Sequence, residues 1–166
     1  MISAQKNQTP LDDHDEVALL IGDATRLMRI AFEKRITQAG LGLTLGEARA
    51  LLNIANAAGS RQMDIAIRMG VEPMTLCTYL DKLQVLGLIE RQPCSADRRA
   101  KRINLAPASD EMLASIRREM KIVIEQGTTG MTAEARRKFK HALGAFTANL
   151  QSFPTNSPDK SDCNEG

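Results

Sequence analysis

Five cations crowd one short stretch of this chain: Arg91, Arg98, Arg99, Lys101 and Arg102 fall within GLIERQPCSADRRAKRINL, from Gly87 to Leu105. Only Glu90 and Asp97 offset them there. Leu88 to Gln92 and Ala100 to Leu105 alternate apolar and polar side chains. Between them, Pro93-Cys94-Ser95-Ala96-Asp97 is rich in residues that leave the extended region, so the segment predicts a β-hairpin. A hairpin this small buries little core, which leaves its charge for an outside partner, and a polyanion is the natural one. Arg98 and Arg99 at the turn fit a narrow minor groove, whose negative potential attracts guanidinium groups. Arg91, Lys101 and Arg102 fit phosphates. Asp97 is expected to orient a neighbouring arginine through charge-assisted hydrogen bonds.

Such a hairpin needs a scaffold, and the residues before it supply one. Arg61 to Met69 reads as a short helix with Met63, Ile65, Ala66 and Met69 as apolar positions. Gly70-Val71-Glu72 then turns, and Pro73 suits the first position of a helix running to about Leu86. That helix places Leu76, Leu80 and Leu83 on one stripe and Thr75, Thr78, Tyr79 and Lys82 on a largely polar one beside it. Helix, glycine-containing turn and amphipathic second helix make a helix-turn-helix. Short hydroxyls and a cation on such a helix match the donors and acceptors of base edges in the major groove.

Further helices flank this module. Asp15 to Ala39 carries Leu20, Ala24, Leu27 and Ala31 at helical spacing. Thr44 with Glu47 forms a capping-box pattern opening a helix with Ala48, Leu51, Leu52 and Ala55, ended by Ala58-Gly59. After the hairpin, Pro107 and Ser109 open a helix with Leu113, Ile116, Met120 and Val123, interrupted from Gly127 to Gly130. Thr132 caps the last, with Ala135, Phe139, Ala142, Phe146 and Leu150 spaced to pack against a partner helix.

Composition sets the bounds. The 166 residues, 43% apolar and 25% charged, are ordinary for a globular domain. A formal net charge of +2 argues nothing alone, so the local clustering must carry the case. With no Trp and one Tyr, base-stacking on single strands is disfavoured. No apolar run reaches a membrane span and the N-terminus lacks signal-peptide blocks, so a cytoplasmic protein without membrane partners is expected. Cys77, Cys94 and Cys163 share no CxxC spacing and His14 and His141 lie far apart, so no metal site is expected. Without a phosphate loop, GxSxG or HExxH, neither an enzyme nor a cofactor is expected.

The helix-turn-helix followed by GLIERQ and C-x-x-DRRAKRI-x-L resembles the MarR family of bacterial transcription regulators, and most closely its SlyA-type branch. The resemblance covers about residues 15 to 150. It implies a fold that is mainly α with a small β-hairpin wing (α+β): a winged helix-turn-helix with N- and C-terminal dimerisation helices. In that layout residues 44–106 are the DNA-binding lobe and 15–40 and 107–150 the dimerisation helices, with flexible tails at 1–14 and 151–166. It further implies a homodimer on a pseudo-palindromic operator in double-stranded DNA, associated with the bacterial nucleoid, with recognition helices in major grooves and wings in minor grooves. The family's wing aspartate and arginines correspond to Asp97, Arg98 and Arg99, whereas Thr78 stands where SlyA-type proteins often have arginine. Family members often bind small aromatic carboxylates or phenols, for which Arg26 and Arg29 are the candidate partners here. Two other readings remain. One is a redox-responsive regulator using Cys77 or Cys94; the other is a winged-helix protein-interaction module presenting the same basic surface to an acidic protein.

Overall fold

The caps written into the sequence decide where the helices begin. In the structure, a computed structural model describing residues 12–93 and 101–153, Asp12 accepts from the Asp15 N–H at 2.8 Å and Asp15 reaches back to the Asp12 N–H, opening α1 (Asp13–Gln38). The helix therefore starts two residues before the expected Asp15, which is the far partner of the box rather than its start. Thr44 and Glu47 form the expected box at the head of α2 (Leu45–Asn56), with reciprocal bonds of 3.3 and 2.8 Å. α3 (Gln62–Met69) ends on Gly70 at φ +62°, a left-handed conformation that glycine adopts without penalty. Pro73 then heads α4 (Pro73–Val85). α5 (Ser109–Gly127) runs through Gly127, and Thr132 caps α6 (Ala133–Gln151) by accepting from the Ala135 N–H at 3.1 Å. Of the expected tails, Asp13 and His14 belong to α1 and Gln151 to α6; most of the rest lies outside the described residues.

The described residues up to Gly127 form one compact unit and those from Thr128 onward a second. The core of the first joins Phe32 and Ile36 of α1, Leu51 and Ile54 of α2, and Ile65 of α3 to the Leu76-Leu80-Leu83 line of α4. Leu113, Ile116 and Val123 of α5 complete it, as their spacing predicted, with Met120 only partly buried. Burying each such side chain stabilises the fold by about 1.5–3 kcal/mol, so the helix-turn-helix is held by packing more than by helix propensity. Met63 departs from expectation: it is exposed, because Ile65, Ala66 and Met69 define the inward face of α3 and Met63 lies about 200° round from Ile65. On α2, Leu52 and Ala55 are only partly buried, while Ala50 and Ile54 take the inner positions.

Two strands form the expected hairpin, β2 (Ile89–Pro93) and β3 (Lys101–Leu105), antiparallel with Arg91 opposite Ile103 and Pro93 opposite Lys101. A two-residue strand in front of α3, β1 (Ser60–Arg61), pairs with the other side of β3, placing Ser60 opposite Ile103. The sheet order is β1-β3-β2, so β3 is central. Two residues cannot display alternation, which is why β1 has no sequence signature.

Much apolar surface stays uncovered within the single chain. On α1 only Phe32 and Ile36 are buried, and the Leu20–Leu27 part of its stripe is exposed. The second unit, taken by itself, presents α6 with no buried residue: Phe139, Leu143, Phe146 and Leu150 all face outward. Among the described residues, no helix is long and apolar enough to cross a membrane.

Candidate nucleic-acid interface

α4 is fixed from behind. Leu76, Leu80 and Leu83 are each fully buried, which sets the rotation of the helix and so determines what it shows to the outside. Thr75, Thr78 and Lys82 are exposed, as the polar stripe required. Tyr79 departs from that stripe. It is half-buried, packs against the core, and its ring lies so close to Gly46 that an added Cβ there would sit 2.3 Å from Tyr79 Cζ. Tyr79 therefore props α4 against the head of α2, and Gly46 is the hollow it needs.

The outermost line of α4 runs through Thr78 and two residues the polar stripe omitted, Met74 and Val85. Met74, Thr78 and Val85 lie within about 40° of one another, opposite the leucine line, and Met74 is 80% exposed and Val85 83%. The signal was present in the spacing, since the direction opposite Leu76-Leu80-Leu83 is occupied by these three. Polarity does not mark that direction. Thr78 Oγ1 donates to the Met74 carbonyl at 3.2 Å, so its proton is committed to the helix itself.

The hairpin cations divide into different jobs. Arg91, expected to meet phosphate, has partners within the protein. Its guanidinium pairs with Asp81 Oδ1 at 2.7 Å and reaches the Cys77 carbonyl at 3.5 Å, and its side chain is only 15% exposed. Arg91 is thus a brace between β2 and α4 with Nε buried and unpartnered, rather than a free cation. Asp81, the other end of the brace, went unnoticed in the sequence because a lone carboxylate on a helix has no local signature. Arg102 is exposed and donates to the Gly59 carbonyl at 3.0 Å, which draws it toward the turn before β1. Lys101 is exposed beside Pro93 and, with Arg61 and Met63, borders a concavity on the α4 side of the sheet. Asp97, Arg98, Arg99 and Cys94 lie outside the described residues.

Of the residues assigned to ligand and redox roles, Arg26 and Arg29 lie on α1 and Cys77 on α4. Arg26 on α1 is already paired with Asp23 at 2.8 Å, and both it and Arg29 are exposed. Cys77 is half-buried with its Sγ 3.9 Å from Asp81 Oδ2, on the flank of the Asp81–Arg91 brace. No group of His, Cys, Asp and Glu suited to a metal ion occurs among the described residues.

Residues 41–100 match the MarR family. The fold is similar to that of a MarR-family regulator from Silicibacter pomeroyi, at 25% identity and TM-score 0.73, covering 86% of this chain and 94% of that one. It is also similar to a MarR transcriptional regulator from Methanosarcina mazei Go1, at 19% identity and TM-score 0.74, covering 82% of this chain and 97% of that one. The regulator SlyA matches at 21% identity and TM-score 0.67, covering 81% and 93%, so it stands no nearer than the other two. The chain thus matches the MarR family over residues 41–100 and has a fold similar to the winged helix-turn-helix of solved MarR regulators.

Proposed function

We propose that this protein is a homodimeric, DNA-binding transcription regulator, with α4 entering the major groove and the β2–β3 wing reaching the adjacent minor groove. One observation carries the reading: three buried leucines fix α4 so that Thr75, Thr78 and Lys82 face outward, and the Asp81–Arg91 pair holds the cation-bearing hairpin beside it. Lys101 and Arg102 supply phosphate contacts, and Arg98 and Arg99, oriented by Asp97, supply the minor-groove contacts that the sequence assigns them. Residues 44–106 act as the DNA lobe, and the helices within 15–40 and 107–150 dimerise. The uncovered apolar stripes of α1 and α6 support that second role, since stripes of this length are unusual on a monomer's surface. Two-fold symmetry then puts the half-sites about one helical turn, about 34–36 Å, apart. The SlyA-type affinity of the hairpin belongs to the same proposal.

Selection of bound duplexes from random DNA, followed by footprinting and a salt titration, tests it. The expected result is a defined, two-fold symmetric footprint with affinity falling steeply as salt rises. A protein-interaction module would give no footprint and no recovered sequence, which would end the reading.

A further inference from the structure

The outward line of α4 is chemically unusual for a surface meant to meet a polyanion. Near its two ends are a methionine and a valine that are almost fully exposed, with a threonine between them whose hydroxyl proton is held by the helix backbone. What these residues offer outward is chiefly methyl groups. Met74 is the second residue of α4, and the first turns of such a helix are the part that meets base edges. Lys82 flanks the line on one side, while Asp81 on the other has its carboxylate engaged by Arg91. The charge beside the line is therefore net positive, which suits a groove walled by phosphates.

In the major groove only thymine, among the four bases, presents a methyl group, at C5. Resting on the DNA-binding reading above, we propose that Met74, with the Thr78 methyl beside it, is a specificity-determining contact to thymine C5-methyl groups in each half-site. A helix displaying hydroxyls alone would discriminate bases by hydrogen bonds; this one discriminates through apolar contact, and its preferred half-site carries thymine opposite the first turn of α4.

Deoxyuridine keeps every hydrogen-bonding edge of thymine and lacks only the methyl, so it isolates the contact. The full-length protein is titrated against its selected duplex with half-site thymines replaced one at a time by deoxyuridine. At one or two positions the wild type should bind about four-fold more weakly, the effect of one buried methyl group. Met74→Ala should bind the thymine duplex about four-fold more weakly and lose the penalty for deoxyuridine at one of those positions. Met74→Leu should keep it. Because Met74 is 80% exposed, these variants should melt as the wild type does. Equal binding of thymine and deoxyuridine duplexes at every half-site position overturns the inference. So does a Met74→Ala variant that retains the full thymine preference, which would mean that Met74 meets something other than the base. Failure to recover any preferred duplex is a different result: it removes the DNA-binding reading itself, and this inference with it.

Discussion

Arg91 Nη2 and Asp81 Oδ1 lie 2.7 Å apart, but the two ends of this pair are not equally placed: Arg91 is 15% exposed and Asp81 59%. Removing Asp81 would strand a mostly buried guanidinium whose Nε already lacks a partner, whereas removing Arg91 would leave a carboxylate with access to water. Asp81→Ala should therefore destabilise the fold by about 1–3 kcal/mol. Arg91→Met, which keeps the apolar stem and deletes the charge, should cost clearly less. Urea unfolding of both variants checks this, and equal losses would show that the brace adds nothing beyond packing.

Gly46 and Tyr79 make a second, purely steric relationship. Alanine in a helix interior is ordinarily better than glycine by about 1 kcal/mol. Here its Cβ would collide with the Tyr79 ring, so Gly46→Ala should be destabilising by about 1–3 kcal/mol. In a Tyr79→Ala background the same change should become neutral or stabilising. A double-mutant cycle by thermal melting measures the coupling.

Glu119 on α5 is a buried carboxylate, its side chain 5% exposed, accepting from both Arg35 Nε and Arg35 Nη2 across the α1–α5 contact. Arg118 stands at 3.5 Å and is largely in solvent, so it replaces Arg35 poorly. Arg35→Met should cost about 3 kcal/mol, the lower end of the range for an orphaned buried charge because Arg35 is itself part-exposed. Adding Glu119→Leu should restore much of it. Chemical denaturation of the single and double variants distinguishes this from simple loss of packing.

Leu27 on α1 and Phe146 on α6 are exposed in the single chain. Leu27→Glu and Phe146→Glu should leave the helical content of the chain unchanged while shifting sedimentation from dimer toward monomer. Unaltered sedimentation for both would remove those two faces from the dimer contact.

Arg99→Ala should weaken operator binding by more than about 1 kcal/mol without unfolding the dimer. A filter-binding or fluorescence titration at fixed salt measures it, and unchanged affinity would remove Arg99 from the wing contact.

Periodicity made the scaffold of this protein legible, because burying a helix stripe is a local demand on sequence. The leucines of α4, the Thr44–Glu47 box and the strands of the hairpin could all be read this way. Long-range pairing could not. Asp81 and Arg91 find each other only once α4 and β2 are packed, and β1 exists only because β3 passes beside it. Charge left other relationships out of view: the pairing of Arg91 with Asp81 depends on packing, and Met74, without charge, lies on the outermost line of the helix.

The strand order β1-β3-β2 also bears on how the chain reaches its fold. The Arg102–Gly59 contact joins residues 43 apart in sequence, and the loop it closes contains both helices of the helix-turn-helix. Closing a loop of that size before its contents are ordered costs chain entropy that a two-residue ladder cannot offset. The β1–β3 register should thus be set late, after α3 and α4 have docked, with weakened pairing at Ser60 accelerating unfolding more than it slows refolding. Correct placement of the wing would in that sense be a kinetic checkpoint on the helices it encloses.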